Sequence, residues 1–491
     1  MRSLGLLVDG EDYYRELYRA ASAARRYIFF SGWQFDSAAP LLRGKDAEEA
    51  EKAGRPVAFL PFLEALCNER PELTIHILAW DFHGIFAFER EWMQKIVFDW
   101  MTHERLHFRF DSKHVDGASH HQKFVVIDGQ LSFLGGLDVC DHRWDDRRHL
   151  EENPLRVSRG SPHKPFHDVQ AYLLGREVAA DLGTLFAARW HASGGEPLEV
   201  PAVEADSFLE PYLPIGALSL ESGEVALSRT DPNGLPTGGA ECREVETLFI
   251  DGITSAERRI YVETQYFSSR CLTDALIARF DPGLAPIDVV LVLNMKAETL
   301  KEEVAIGLLQ AKMLGELRVA ADGTHHRLGI YYTVPAPKGE AEPERATYIH
   351  SKLMIVDDRF MTIGSANMTN RSCGIDTELN LSVETDTEDD ALARSIVAIR
   401  RSLLAEHLGD PEIEDCERLV SYLDDRATRR DGRLRLHPSP TETEKTLLAV
   451  IDPAGLPFDP SHSDDERDIP TFVSGIGTLW QRIFDSKGDG K

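Results

Sequence analysis

Two short stretches of this chain place a histidine and a lysine two residues apart: His121-Gln122-Lys123 and His350-Ser351-Lys352. In an extended strand, residues i and i+2 share a face roughly 7 Å apart, so each stretch aims an imidazole and an ammonium into one space. The runs that follow, FVVI and LMIV, are apolar and predict a buried strand over 121–127 and again in the second copy. Two imidazoles and two ammoniums brought together across a pseudo-twofold interface form a compact cationic pocket suited to a phosphodiester. Lysine ammoniums act there as point charges on phosphate oxygens and stabilise a five-coordinate transition state. A neutral imidazole attacks phosphorus to give a phosphohistidine, and a second, protonated imidazole donates to the leaving alcohol. Histidine's pKa near neutrality lets two such rings hold opposite protonation states. This chemistry needs no cofactor and no metal, and the sequence carries no carboxylate cluster spaced to hold one.

Asp128 and Asp357 each follow the motif lysine by five residues. The odd offset takes them off the face shared by histidine and lysine. They open Asp128-Gly129 and Asp357-Asp358, so turn chemistry predicts turn and network residues rather than proton carriers. Two copies of HxKxxxxD arise by chance on the order of once in a thousand chains of this length, so the repetition is a signal rather than an accident.

The motif copies sit inside a longer repetition. HHQKFVVIDGQLSFLGGLD (120–138) is echoed by IHSKLMIVDDRFMTIGSAN (349–367), an offset of 229 residues, with glycines matched at 135 and 364. Upstream, Ser22-Ala23-Ala24-Arg25-Arg26 before YIFFSGW is echoed by Ser255-Ala256-Glu257-Arg258-Arg259 before IYVETQYF, an offset of 233. Both read as a helix end entering a buried, aromatic and β-branched strand. LTIHILAWDF (73–82) and IDVVLVLN (287–294) are further strands, each preceded by a helical pattern. Strands alternating with helices predict an α/β fold, here two pseudo-twofold-related α/β sandwich halves with mixed sheets and the site at their interface. The first half spans 1–193, a Pro/Gly-dense linker 194–240, the second half 241–405, and a C-terminal extension 406–491. The acidic inserts 44–54 and 338–346 read as surface loops or short exposed helices. In the extension, Arg426, Arg429, Arg430, Arg433 and Arg435 read as solvated decoration, followed by an apolar ending over 470–484.

Composition bounds the partners. Of 491 residues, 54 are Lys or Arg and 82 are Asp or Glu, a formal net charge of −28. Such a surface repels phosphodiester backbones, so nucleic acid is not an expected partner. Apolar residues at 42% and charged residues at 28% exclude disordered and fibrous classes. No stretch approaches the ~18 consecutive apolar residues of a membrane-spanning helix, and the N-terminal apolar run is too brief for a signal peptide. The expectation is a cytoplasmic protein, peripheral where it meets a membrane. Six scattered cysteines without a CxxC pair read as reduced, structural thiols.

These motifs resemble the phospholipase D superfamily, whose hallmark is the duplicated HxKxxxxD motif. The resemblance covers roughly residues 5–405 and is nearest to the enzymes acting on glycerophospholipids. SHHQKFVVID and LGGLDVCDHRWD within 119–145, ETQYF (263–267) and IHSKLMIVDD with IGSANMTNRS within 349–372 carry it. It implies that His121 is the nucleophile, His350 the general acid and base, and Lys123 and Lys352 the phosphate-binding lysines. The hallmark brings Asp128 and Asp357 into the catalytic set as well. Asn367 would contact phosphate; Asp168, in PFHDV (165–169), would orient His350, and Glu378, in DTELN, would orient His121. Asp138 stands where Asn367 has its first-half counterpart, and a carboxylate cannot donate to phosphate, so turn anchoring is expected of it.

The implied activity is phospholipase D: cleavage of the distal phosphodiester of a glycerophospholipid at a membrane surface, releasing phosphatidic acid and the headgroup alcohol. Water or a primary alcohol accepts the phosphatidyl group, the latter giving transphosphatidylation. The alternatives are a phosphatidyltransferase of cardiolipin synthase type and, further off, a nuclease of the same superfamily. Trp33 and Tyr266 end equivalent strands and read as core packing or pocket lining. His120, His142, His149, His163 and His167 read mostly as surface or loop residues, and Arg143, Arg147 and Arg148 as partners of Asp145 and Asp146.

Overall fold

Seven strands of the first half recur in the second, in the same spatial order and with the same senses. The computed structural model describes residues 3–81, 103–115, 117–201, 214–235, 240–296, 306–336, 345–387, 390–413, 417–440 and 459. The first sheet runs Leu218–Ser219, Ser3–Val8, Val169–Leu174, Leu131–Gly135, Phe124–Ile127, Tyr27–Gly32, Thr74–Trp80, Leu106–Asp111. The second runs Cys242–Arg243, Ala226–Asp231, Glu378–Glu384, Phe360–Gly364, Leu353–Val356, Arg259–Glu263, Asp288–Val292, Arg327–Thr333, Leu434–Leu436. From Ser3–Val8 onward the first sheet pairs antiparallel four times and then parallel twice. From Ala226–Asp231 onward the second repeats that series. The fold is α/β with two large mixed sheets.

The motif strands are apolar throughout because both of their faces are covered. Phe124 and Val126 pack inward with Leu353 and Ile355 in a core shared by the two halves. Val125 and Ile127 turn to the outer layer of the first half, under the helices Asp9–Ala23 and Phe59–Glu69. Met354 and Val356 do the same under Glu244–Thr254, Arg270–Arg279 and Leu308–Ala321. Alternation of side chains along each strand divides one hydrophobic run between two cores. At Gly135 and Gly364 the chain passes so close to its neighbour that an added Cβ would lie 2.6 Å from Val169 O and 2.3 Å from Leu379 O, respectively.

Two parts of the chain do more than their composition suggests. The stretch 194–240 is not a bare connection: Leu218–Ser219 edges the first sheet, and Ala226–Asp231 takes the place in the second that Ser3–Val8 holds in the first. The extension after 405 completes the second half, with the helix Leu419–Arg429 packed beside Leu434–Leu436 at the sheet edge. Arg433 and Arg435 are buried there, against the expectation of solvated decoration. Their guanidiniums are spent on backbone carbonyls, Arg433 on Arg148 O (2.7 Å) and Arg435 on Leu434 O (2.9 Å). Arg426 and Arg429 form ion pairs with Asp410 and Asp425. The insert 44–54 is the short helix Gly44–Lys52; most of 338–346 and all of 470–484 lie outside the described residues. Among the described residues, no helix is long and apolar enough to cross a membrane.

Asp128 and Asp357 lock corresponding corners. The Asp128 carboxylate accepts the backbone N–H groups of Arg25, Arg26 and Tyr27, each at 2.8 Å. Asp357 accepts those of Glu257, Arg258 and Arg259 at 2.7–2.8 Å. Both residues adopt positive φ, 50° and 53°, a conformation aspartate tolerates in turns. Asp128→Ala strands three donors at the entrance of Tyr27–Gly32 and is expected to cost about 2–4 kcal/mol in chemical denaturation. The turnover of the folded fraction should stay within about twofold.

Candidate active site

The motif histidines are carried to the interface by two crossed contacts. The segment before His121 runs beside the segment before Glu378: Thr377 N–H donates to Ser119 O (2.9 Å) and His121 N–H to Thr377 O (3.0 Å). In the mirror arrangement Tyr348–Ile349 pairs in parallel with Phe166–His167, and His350 N–H donates to His167 O at 2.8 Å. Each ring therefore meets a carboxylate of the opposite half. His121 Nδ1 lies 3.1 Å from both oxygens of Glu378, and His350 Nδ1 lies 2.5 Å from Asp168 Oδ2. Glu378 is fixed in turn by the hydroxyls of Ser365 and Ser372, the second at 2.7 Å.

Both lysines lie beside these rings, buried, and fold back on their own motifs. Lys123 Nζ donates to His121 O (3.1 Å) and Lys352 Nζ to His350 O (2.5 Å). Beyond that the halves diverge. Lys123 pairs with Asp138 at 3.2 Å, whereas Lys352 donates to Gln265 Oε1 at 3.1 Å. Asn367 Nδ2 reaches the same Gln265 oxygen at 3.4 Å, and Asn367 Oδ1 is buried without a hydrogen-bond partner among the described residues. Asp138 anchors a turn by accepting Trp33 N–H at 2.8 Å, and it also balances Lys123. The structure thus brings together His121, Lys123, His350, Lys352, Asn367, Asp168 and Glu378. It leaves Asp128 and Asp357 at the far ends of the motif strands, where their carboxylates accept backbone N–H groups.

Arg143 is the residue whose position the sequence does not predict. Its Nη1 donates to His350 Nε2 at 2.8 Å, its Nη2 lies 3.9 Å from Asp138 Oδ2, and the guanidinium sits 5.7 Å over the Phe166 ring. With Asp168 on Nδ1 and a guanidinium on Nε2, the His350 ring must be neutral, its proton on Nδ1 and its lone pair on Nε2. Burial pushes its pKa well down, and the charges of Lys352, Arg143 and Lys123 push it further. Burial lowers Lys352 to about 7 against the pull of Asp168 and raises Asp168 to about 6 against the pull of Lys352. His121 differs: its side chain keeps 16% exposure, and its Nε2 has no hydrogen-bond partner among the described residues.

A buried ionic network backs Asp168. Asp9 N–H donates to Asp168 O (2.8 Å), and Asp168 N–H donates to Asp9 Oδ1 (3.2 Å). His167 bridges Glu406 (2.8 Å) and Glu263 (2.9 Å), His149 bridges Glu406 and Asp145 (both 2.9 Å), and His407 meets Glu263 at 2.8 Å. The expectation that the histidines around the first motif are mostly surface or loop residues fails for His149 and His167, and for His120, held between Thr377 and Asp111. The three arginines also separate: Arg148 pairs with Asp146, but Arg147 pairs with Glu406, and Asp145 is taken by Arg156. Two groups here, Asp9–His149–His167–Glu406 and His167–Glu263–His407, bring ligating atoms within 4.8 Å. Their hydrogen-bonded imidazole nitrogens hold the protons a metal ion would have to displace. Trp33 stacks on Trp80 at 5.5 Å, and Tyr266 is buried with its hydroxyl 3.3 Å from that of Tyr348.

Comparison with known proteins places these features among relatives. A family model described as "Cardiolipin synthase, PLD-like domain" matches residues 249–398. Phospholipase D alpha 3 of Arabidopsis thaliana is 24% identical over 83% of this chain and 65% of its own length. Phospholipase D alpha 1 of Cynara cardunculus is 24% identical over 84% of this chain and 66% of its own length. The chain therefore spans just under two thirds of these relatives. Among solved structures, phosphatidylserine synthase from Haemophilus influenzae Rd KW20 superposes with a TM-score of 0.54 at 13% identity, covering 91% of this chain and 95% of that one. That likeness concerns the fold.

Proposed function

This chain belongs to the phospholipase D superfamily, and on that premise we propose that it cleaves the distal phosphodiester of a glycerophospholipid through a phosphohistidine. The observation that carries the reading is the crossed pairing of His121 with Glu378 and of His350 with Asp168, with both lysines beside the rings. His121 attacks phosphorus through Nε2, the atom with no hydrogen-bond partner among the described residues, while Glu378 holds its Nδ1–H. The bond from phosphorus to the headgroup oxygen breaks, and that oxygen takes a proton from His350. Water, deprotonated by His350, then attacks the phosphorus and frees His121. Lys123, Lys352 and Asn367 bind the non-bridging oxygens. The halves 1–193 and 241–405 each supply one imidazole and one ammonium; Leu218–Ser219 and Ala226–Asp231 of the connection 194–240, and Leu434–Leu436 of the extension 406–491, add strands to their sheets.

Arg143 sets the order of events. While its guanidinium sits on His350 Nε2, that nitrogen can neither carry nor receive the proton. An anionic phosphodiester offers the guanidinium a better partner and neutralises part of the local positive field, which raises the proton affinity of His350. Arg143→Ala is expected to raise KM about tenfold to a hundredfold with a smaller loss in kcat, measured by initial rates on phospholipid vesicles.

Lipid-product analysis tests the function. Phosphatidylcholine vesicles should yield phosphatidic acid, and adding a primary alcohol should divert product to the phosphatidyl-alcohol. Hydrolysis without any diversion overturns the long-lived covalent intermediate. The matching family description favours one second reading, transfer to a lipid alcohol. Conversion of phosphatidylglycerol to cardiolipin in preference to hydrolysis would select it.

A further inference from the structure

Two cysteines with no part in the reaction lie beside the residues that hold His121. Cys271 sits in the first turn of the helix Arg270–Arg279, whose cap Ser269 accepts the Leu272 N–H. Cys373 lies in the short helix Asn370–Gly374. The two helices are tied by Ser269 N–H to Met368 O and by Arg270 N–H to Asn370 Oδ1, both at 3.0 Å. The two sulfur atoms and a carboxylate oxygen of Glu246 lie within 4.8 Å of one another, and Ser269 Oγ is 3.1 Å from Cys271 Sγ. Cys271 is half-buried and Cys373 is buried.

The pair is coupled to the site through one residue. Ser372, next to Cys373, donates its hydroxyl to Glu378 (2.7 Å) and accepts the Asn367 N–H (3.2 Å). We propose that Cys271 and Cys373 form a redox-sensitive pair, whose oxidation to a disulfide by a hydroperoxide draws Ser372 away from Glu378 and lowers turnover at His121. The effect on turnover rests on the reading of function above; the disulfide does not.

The two thiols differ as such a reaction requires. A hydrogen bond from Cys373 brings the Cys271 thiol down to about 7 against the effect of burial, with help from Ser269. Cys373 is pushed well up by its hydrogen bond to Cys271 and by burial, and keeps its proton. The Cys271 thiolate attacks one oxygen of hydrogen peroxide; the O–O bond breaks, a sulfenic acid forms, and hydroxide leaves to become water. The Cys373 sulfur then attacks the Cys271 sulfur, the S–O bond breaks, and the thiol proton leaves with that oxygen as a second water. Two thiols lose two electrons and the peroxide gains them. The product needs the sulfurs roughly 2.05 Å apart, so closure drags the short helix carrying Ser372 toward Arg270–Arg279.

The test treats the full chain with hydrogen peroxide, blocks remaining thiols and maps peptides without reduction. The expected product is a Cys271–Cys373 linked peptide about 2 Da lighter than the two thiols, with phosphatidylcholine hydrolysis reduced at least about tenfold. Dithiothreitol should restore both, and Cys271→Ser should keep basal activity and resist peroxide. Absence of the linked peptide overturns the proposal, as does a linked peptide with unchanged turnover or a Cys271→Ser variant equally inhibited by peroxide. If the reduced chain cleaves no phospholipid, the functional reading fails instead. The pair is then judged by the peptide map and by the NMR titration of His121, which must shift on oxidation for the coupling to stand.

Discussion

His121→Ala is expected to lower kcat on phosphatidylcholine by at least about 10⁴-fold, with an unfolding midpoint close to that of the parent chain. The ring is partly exposed and bonded on one side to Glu378, so its removal takes away the proposed nucleophile and little packing. His350→Ala gives a different pattern. An aryl phosphodiester needs no proton on its leaving oxygen, so the first step survives, while the missing base stalls attack by water. Rapid-quench experiments on that variant should show a stoichiometric burst of phenol, and mass spectrometry should find the phosphoryl group on His121. Near-normal rates in both variants would sink the two-imidazole mechanism. An adduct that forms on His350 in His121→Ala would exchange the roles.

The second large effect falls on stability. Glu263 is fully buried and accepts four donors: His407 and Tyr261 on Oε1 at 2.8 and 2.5 Å, His167 and Ser351 on Oε2 at 2.9 and 2.6 Å. Its neighbours His167 and His407 hold its carboxyl well below the usual range despite burial, and its charge helps hold His167 well above the usual imidazole range. Glu263→Ala takes one of two close counter-charges from the buried His167, leaving Glu406, and strands the donors that Glu263 accepts, at an expected cost of about 3–5 kcal/mol in urea unfolding. Glu263→Gln should recover part of this. The network also dictates a pH dependence. Buried among Asp9, Asp145 and Glu406, His149 is raised to about 9. A raised imidazole stabilises fully below its unfolded value near 6.5 and loses that contribution as pH rises toward 9. Glu263 works in the other direction, with its contribution present above about 4.5 and lost as pH falls. His149→Gln should flatten the decline of the unfolding midpoint between pH 6.5 and 9.

The repeat made the fold legible. Two matched segments in nearly one register announced a duplicated α/β unit, and the apolar runs FVVI and LMIV marked strands buried on both faces. Asp128 and Asp357 could be read as turn residues from their offset and dipeptides alone. What could not be read depends on distant chain segments meeting. Pro and Gly in 194–240 mask the strand Ala226–Asp231, because its partner Glu378–Glu384 lies some 150 residues away. The histidines of PFHDV and DDRRHL look like loop polarity until Asp9, Glu263 and Glu406 converge on them. Arg143 sits among acidic neighbours in DHRWDD, and nothing local reveals that it turns instead to a ring 207 residues on. The crossed acids were available only by resemblance, since spacing along the chain says nothing about which half a carboxylate faces.

That crossing has a consequence for inheritance. Neither half can be improved, lost or exchanged by itself, because the acid steering each imidazole is encoded in the other. A chimera that grafts a foreign second half onto residues 1–193 inherits a stranger's glutamate behind His121, and gives up its own histidine while keeping Asp168 to greet the newcomer. Compatibility between grafted halves should therefore follow the two reciprocal contacts, 121 with 378 and 350 with 168, before it follows overall similarity. A single ancestral unit able to do this chemistry would have needed a twin.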